Sequence, residues 1–264
     1  MKKFTMRTLM NNFTFMNTVG ITFFLALILS FQLIAQNVEP ADVNLTGQQL
    51  WEKCISYHDP HGKWNTYEGI MHMVTVIGKN EVMEEVIEIN KPENYYKCTW
   101  IDGEVKAVKG IKNSKSFFAI NDDNNPSEEL IKKYDLTEEN VSFYKVHHTC
   151  HFGLPMELKI SGMTVEDKVD VVEFDDRKCY KLSFIGISEK ATHEYYEGRF
   201  ILYVDMVTFA MRGIENEPTE YPKHYTILSR EIEVNGIKIP HVKSTFRSED
   251  DIHLWSSIFT TISP

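Results

Sequence analysis

The fold of this chain is decided by the stretch Ile232-Glu233-Val234-Asn235-Gly236-Ile237-Lys238-Ile239. The dipeptide Asn235-Gly236 supplies the positive φ values that a two-residue turn between antiparallel strands requires. The sequence therefore predicts a β-hairpin with strands over 223–234 and 237–247.

Short runs rich in β-branched and aromatic residues, bounded by turn residues, continue in both directions from this hairpin. They predict further strands at 68–78, 82–89, 94–101, 104–108, 115–120, 156–160, 169–174, 178–186, 194–204, 207–214 and 252–262. About a dozen short strands joined by hairpins, with few helices, indicate a curled sheet. The predicted fold class is mainly β (α+β): a strongly curved antiparallel sheet forming an unclosed barrel, with helices on its concave side.

Helix signals are confined to the start and the middle of the domain. Thr46 and Gln49 have the spacing of a capping box, so a helix is expected to begin at Gly47 and to stop at Asp59-Pro60. A short helix is expected to open at Ser127 and to end near residue 134.

A second helix start is expected at Thr137, which suits an N-cap. The pattern leaves open whether 141–152 is a helix or a strand, because Phe143, Val146 and Thr149 also suit a strand.

The first 35 residues are predicted to be a secretory signal peptide. They combine a charge of +3, no acidic residue, an apolar run over 19–35 and a small residue at Ala35. The alternative is an uncleaved N-terminal anchor. Cleavage would leave 36–264 as a single exported domain with no stable membrane span.

The net charge of -10 argues against nucleic acid as a partner, because phosphate backbones are bound by a surplus of Lys and Arg. A hydrophobic fraction of 42% excludes a disordered tail and a many-span membrane protein. The four cysteines, Cys54, Cys98, Cys150 and Cys179, contain no CxxC pair, which argues against a thioredoxin-like site or a zinc site of four thiolates. The spacing of the cysteines leaves open whether the chain forms one disulfide or none.

Three runs resemble an uncharacterised family of exported Bacteroidetes proteins, the domain of unknown function DUF6503. They are 47–64 (GQQLWEKCISYHDPHGKW), 153–158 (GLPMEL) and 204–211 (VDMVTFAM). The order of elements is also similar to that of the periplasmic lipoprotein carrier and its receptor, LolA and LolB. That resemblance implies an unclosed β-barrel that holds acyl chains under a helical lid, in the periplasm or envelope of a Gram-negative bacterium. The family has no established catalytic residues, so none is assigned here.

The leading hypothesis is an exported, non-enzymatic binding or carrier protein for an apolar or amphipathic ligand, such as a lipid or a lipoprotein acyl chain. Aromatic and histidine side chains along a concave sheet are candidates to line its pocket. The predicted ligand-binding residues are Tyr57, His58, Trp64, Tyr95, Trp100, Tyr144, His148 and Trp255. No catalytic residue, metal ligand or cofactor is predicted, and the identity of a protein partner is left open.

Two alternatives belong to other functional classes. His147 and His151 have a spacing that can clamp Zn²⁺ on a helix, so a histidine-based enzyme, with or without zinc, is the first. An envelope scaffold that binds another protein through a sheet edge is the second. The acidic pairs Glu84-Glu85 and Asp175-Asp176 are expected to be solvated strand faces and turns.

Overall fold

A computed structural model of the protein describes residues 45–79, 81–160, 163–186, 198–218 and 222–262. The predicted signal peptide and the start of the predicted strand 194–204 lie outside these residues. Among the described residues, no helix is long and apolar enough to cross a membrane.

The described residues form a single antiparallel sheet of twelve strands. These are β1 (Glu68–Ile77), β2 (Glu81–Asn90), β3 (Tyr95–Asp102), β4 (Val105–Lys112), β5 (Lys115–Ile120), β6 (Thr164–Phe174), β7 (Arg177–Gly186), β8 (Gly198–Asp205), β9 (Met211–Pro218), β10 (His224–Val234), β11 (Ile237–Arg247) and β12 (His253–Ile262). The expected Asn235-Gly236 hairpin joins β10 to β11, with Val234 paired to Ile237.

The strand order is β5-β4-β3-β2-β1-β12-β11-β10-β9-β8-β7-β6. The sheet is therefore two meanders joined where β1 pairs with β12. β5 and β6 stand at opposite ends of this order, so the sheet is not closed in the described part of the chain. The predicted fold class is confirmed.

The helices are α1 (Gly47–His58), α2 (Glu128–Tyr134), α3 (Glu138–Gly153) and α4 (Met156–Ile160), with a 3-10 turn at Lys63–Thr66. The capping box is present: the Gln49 N–H donates to Thr46 Oγ1 at 3.2 Å, and the Thr46 N–H donates to Gln49 Oε1 at 3.0 Å. Ser127 and Thr137 cap α2 and α3 as expected.

The structure decides between helix and strand for residues 141–152 and corrects two predicted strands. Residues 138–153 are helical throughout. The predicted strand 156–160 is wrong: it is α4, built mostly of good helix formers, with Met156 and Leu158 both buried. The predicted strand 207–214 begins only at Met211, because the Asp205 carboxylate accepts the Val207 and Thr208 N–H groups and holds a turn there.

We call the sheet face covered by α1 and α3 the inner face. α1 packs against β6, β7 and β11, while α3 packs against β3, β4 and β11. Two apolar clusters lie on this face. The first joins α1 to β7–β10, and the second joins the Trp64 turn and α3 to β1–β3, β11 and β12. The inner face is thus where these two helices meet strands from both meanders.

Candidate functional site

α1 is fixed to the sheet by His58, which is 0% exposed. Its Nδ1 lies 2.7 Å from the Lys238 carbonyl oxygen, and the Met211 N–H donates to its Nε2 at 2.9 Å. A carbonyl only accepts, so the proton is on Nδ1 and the ring is neutral. Burial lowers the pKa of His58, in agreement with this state. His58 therefore ties α1 to β9 and β11.

The polar groups of the turn after α1 are also hydrogen-bonded. The Asp59 carboxylate accepts the N–H groups of Lys63 and Trp64. The buried Trp64 ring donates from Nε1 to Glu157 Oε2 at 2.6 Å, an oxygen that also accepts from Lys91 Nζ at 2.7 Å. These contacts make Trp64 a packed core residue.

A different environment lies under α3, where Glu85 of β2 is only 2% exposed. The Cys98 thiol donates to Glu85 Oε1 at 3.2 Å. The other carboxyl oxygen, Oε2, lies 3.9 Å from His148 Nε2. Neither of these two buried atoms has a hydrogen-bond partner among the described residues. A separation of 3.9 Å is too long for a direct hydrogen bond, so a polar group of a guest placed between them would satisfy both.

Burial controls the charge of this pair. It raises the pKa of Glu85 and lowers the pKa of His148 well below its ordinary value, because both charged forms are removed from water. The second ring nitrogen of His148, Nδ1, lies 2.7 Å from the Tyr96 hydroxyl. The pair is therefore a neutral, hydrogen-bonding site in an apolar surrounding.

Lys109 of β4 is a buried cation beside this pair. Its Nζ donates to Asn140 Oδ1 of α3 at 2.7 Å and lies 3.7 Å from the centroid of the Tyr144 ring. Burial lowers the pKa of Lys109, while the neighbouring Cys98 and Glu85 act to raise it. Lys109 thus binds α3 through one hydrogen bond and one cation–π contact.

Lys243 of β11 is a second buried cation and is 4% exposed. Its Nζ donates to the His151 carbonyl oxygen, lies 3.4 Å from His151 Nδ1 and is 5.0 Å from the centroid of the Phe259 ring. Among the described residues, no carboxylate lies within ion-pair distance of it.

The last turn of α3 compensates the charge of Lys243 only in part. A cation at a helix C-terminus gains about 0.3–2 kcal/mol, whereas removing an ammonium group from water costs several kcal/mol. Burial accordingly lowers the pKa of Lys243 to about 7. This lysine would therefore gain from a bound anion.

Hydroxyl groups extend the polar environment along the inner face. Thr75 and Ser257 pair at 2.8 Å, and Thr226 and Thr245 pair at 2.9 Å. We call the buried polar side chains of this face the polar band: Thr75, Glu85, Lys109, His148, Asn216, Thr226, Lys243, Thr245 and Ser257. An interior that only needed packing would be apolar at these positions, so the polar band marks the candidate binding site.

Three further histidines adjoin the band. The rings of His147 and His151 lie 4.2 Å apart on α3, as their spacing predicts. The charges of His147, Lys243, His148 and His224 all act to lower the pKa of His151, after the larger effect of burial. Among the described residues, no group of three His, Cys, Asp or Glu side chains is arranged to hold a metal ion. All four cysteines are buried, and none of them forms a disulfide bond with another.

The structure brings together two of the predicted ligand-binding residues, Tyr144 and His148, whose rings lie 5.5 Å apart beside Lys109. Trp100 packs edge-on against Tyr134 at 5.5 Å, and Trp255 lies 6.2 Å from the His224 ring. The other predicted residues stand elsewhere.

Tyr57 donates to Glu231 at 2.7 Å, and Tyr95 donates to Glu88 at 3.3 Å. Tyr95 lines a groove of about 1040 Å³ where the β10–β11 hairpin meets β1 and β2. The groove also carries Lys63, Glu68 and Glu93, so its lining is of mixed charge.

Sequence reasoning missed Glu85, Lys109 and Lys243. The expectation that Glu84-Glu85 is a solvated strand face is wrong for Glu85. Glu84 faces His72 near the surface, whereas the next residue must point to the other face of the strand. The available signal is the two-residue period, because Glu85 is in phase with the buried Ile87 and Ile89.

The open antiparallel sheet with helices on its inner face defines a LolA-like fold. A LolA superfamily protein from Nitrosomonas europaea is similar with a TM-score of 0.50 and 11% identity, over 83% of this chain and 94% of that chain. A DUF1329 family protein from Desulfovibrio piger has a TM-score of 0.43 and 10% identity, over 82% of this chain and 92% of that chain. At 11% identity the likeness to the LolA superfamily protein shows the fold alone.

The chain belongs to the DUF6503 family, a family of unknown function whose model matches residues 23–258. This membership confirms the resemblance to the DUF6503 family, and the fold confirms the LolA-like architecture expected from the order of elements. A comparison with curated proteins gives no match.

Proposed function

We propose that this protein is an exported, non-enzymatic carrier that holds an amphipathic molecule between the inner face and α3. The molecule is a lipid or a lipoprotein acyl chain, and the carrier acts in the periplasm or cell envelope. The observation that carries the proposal is the polar band, which lies inside an inner face that is otherwise apolar. Pockets for small molecules combine these same features, an apolar lining with a few convergent polar groups.

The attachment of α3 supports its role as a cover for the bound molecule. Much of this attachment is through single polar contacts. The described contacts are Lys109 to Asn140, Tyr96 to His148, Lys243 to His151, and Asn94 to Lys145. A typical hydrogen bond contributes about 0.5–1.5 kcal/mol net. α3 is also held by Val141 and Phe152, which belong to the second apolar cluster, so moving it away from the sheet would break these apolar contacts as well as the hydrogen bonds.

The proposal is tested with the purified, delipidated protein and the uncharged fluorescent probe Nile red. We expect saturable binding of one probe per protein, displaced by hexadecanol, and co-purified lipid in mass spectra of the protein before delipidation. Absence of both probe binding and co-purified lipid would refute the proposal.

A matched pair of variants locates the binding site. Ser257→Phe places a ring within the polar band, whereas Ser256→Phe places the same ring on the opposite sheet face, where Ser256 pairs with Ser244. We expect the first variant to weaken probe binding about tenfold, which is 1.4 kcal/mol, and the second to leave it unchanged. Circular dichroism melts establish that both variants are folded. Equal binding by the two variants would place the site elsewhere.

A further inference from the structure

Lys243 lies among basic side chains. Its described polar partners are the carbonyl oxygen and Nδ1 of His151. The basic groups nearby are Lys109 on β4, His147, His148 and His151 on α3, and His224 on β10. The buried carboxyl group of the polar band, Glu85, accepts from Cys98 and faces His148. Burial lowers the pKa values of His148, His151 and His224, which keeps these rings neutral. Lys109 and Lys243 therefore supply the positive charge of this region, within a chain of net charge -10.

From this arrangement we infer that the polar band receives the carboxylate of a long-chain carboxylic acid, with the head group bound to Lys243 and the chain laid along the apolar inner face. The inference rests on the proposed carrier function and adds the chemical class of the ligand. The carboxylate would supply the anion that the described residues do not give to Lys243.

The surroundings of Lys243 match the two parts of such a ligand. An ammonium group has three N–H donors, and the described contacts use only the His151 oxygen as a close acceptor. Thr245, two residues further along the same strand face, offers a hydroxyl group close by. Phe259, 5.0 Å from the ammonium, belongs to the second apolar cluster, which would contact the chain.

One lysine fits a single negative charge better than the double charge of a phosphate monoester. The second buried lysine, Lys109, is already bound to Asn140 and lies on the face of Tyr144. Its positive charge also faces the carboxyl group of Glu85. We therefore expect a monoanionic carboxylate to be preferred over a phosphate-headed lipid.

The test compares palmitate, hexadecanol and lysophosphatidate as competitors of Nile red at pH 6.5. Wild-type protein should bind palmitate at least about tenfold more tightly than hexadecanol, as expected for one buried charge-assisted hydrogen bond. Lys243→Met keeps a side chain of similar length without the charge, and it should bind the two equally. The control Lys106→Met removes an exposed lysine from the outer face of β4 and should keep the preference.

A second test compares the wild type with Lys243→Arg at different pH values. Lys243 loses its proton as the pH rises from 6.5 to 8.5, because burial lowers its pKa to about 7. Burial also lowers the pKa values of His148, His151 and His224, so these rings stay neutral in this range. Palmitate affinity of the wild type should fall several-fold, while Lys243→Arg should remain nearly constant. Titration of Glu85 would affect both proteins, so the difference between them reports on Lys243.

The outcomes separate this inference from the proposed function. Equal binding of palmitate and hexadecanol by the wild type, or preference for lysophosphatidate, would refute the carboxylate site and leave the carrier function standing. Failure of all three competitors together with absence of Nile red binding would refute both.

Discussion

α1 and α3 cover the same face of one sheet, yet they are held to it by different contacts. The sheet side of α1 is continuous with a wholly apolar cluster that includes Trp51, Leu182 and Phe184, and its single buried ionisable side chain that bonds to the sheet is the fully satisfied His58. The sheet side of α3 contributes Val141 and Phe152 to the second apolar cluster but also meets the ionisable side chains Glu85, Lys109 and Lys243. The contacts that hold the two helices to the sheet therefore differ in polarity.

The difference indicates which part of the inner face is built for stability. An apolar cluster stabilises the folded state in proportion to the apolar area that it removes from water. A buried polar cluster makes a smaller net contribution and leaves groups, such as Glu85 Oε2, that a guest can satisfy. We therefore expect substitutions under α1 to change folding and substitutions under α3 to change binding.

The largest expected effect comes from the apolar side of this comparison. Phe184 is fully buried and packs edge-on against Trp51 with ring centroids 5.0 Å apart. Phe184→Ala should lower the free energy of unfolding by about 3–5 kcal/mol, because it removes a ring and leaves a cavity. Urea denaturation measures this loss.

The neighbouring residue is the control for this variant. Ile185 points to the other face and is 53% exposed. Ile185→Ala should change the free energy of unfolding by no more than about 0.5 kcal/mol. Equal losses in the two variants would contradict the assignment of the α1 side as the core.

The next effect concerns the histidine that ties α1 to the sheet. His58→Ala leaves the Met211 N–H and the Lys238 carbonyl oxygen buried without their partner. We expect a loss of about 2–4 kcal/mol in the free energy of unfolding, since each orphaned group costs about 1–3 kcal/mol. His61→Ala, three residues along in the exposed turn, should have little effect. Nile red affinity measured on the folded fraction should not change, because the hydrogen bonds of His58 are to backbone groups and not to side chains of the polar band.

Most of the fold could be predicted from the sequence because its signals are local. The Asn235-Gly236 turn and the Thr46 capping box each depend on residues that are neighbours in the chain, and both are present. The strand predicted at 156–160 is wrong because the alternation of apolar and charged residues in Met-Glu-Leu-Lys-Ile has the two-residue period of a strand. Its helical form follows from the burial of Met156 and Leu158, which join different apolar clusters.

The candidate site could be predicted only in part, because it depends on contacts between distant residues. His148 and Tyr144 could be proposed from an aromatic and histidine-rich segment. The partner of His148, Glu85, lies far away in sequence, and its burial depends on the strand face on which it falls. Lysine side chains are ordinarily exposed to solvent. Lys109 and Lys243 are buried because α3 covers them.

The response of α3 to acid gives an effect of intermediate size. Burial lowers the folded-state pKa of His148 well below 6.5, so the neutral ring contributes stability above pH 6.5 that is lost as the pH falls. At pH 5.5, one unit below the unfolded value, this loss is about 1.4 kcal/mol. Amide hydrogen exchange in α3 should therefore accelerate between pH 7.5 and 5.5, after correction for intrinsic rates.

The variant His148→Gln sharpens this comparison. It removes the titrating ring from α3 and leaves His58 under α1 in place, so the pH dependence of exchange should flatten in α3 and persist in α1. An unchanged pH dependence in α3 would show that other groups near it control the response, the next being His151, whose pKa burial also lowers.

The smallest expected effect tests whether the polar band is needed for folding at all. Thr226 and Thr245 face each other across β10 and β11, and their hydroxyl oxygens lie 2.9 Å apart. Either Thr226→Val or Thr245→Val alone should cost about 1 kcal/mol in the free energy of unfolding, because one buried hydroxyl loses its partner. The double variant removes both hydroxyl groups with little change of shape, so its stability should lie within about 0.5 kcal/mol of the wild type. If the double variant is as stable as the wild type but binds palmitate more weakly, the hydroxyl pair serves the ligand. A double variant less stable than either single one would instead make the polar band part of the folding core and remove the distinction between the two helices.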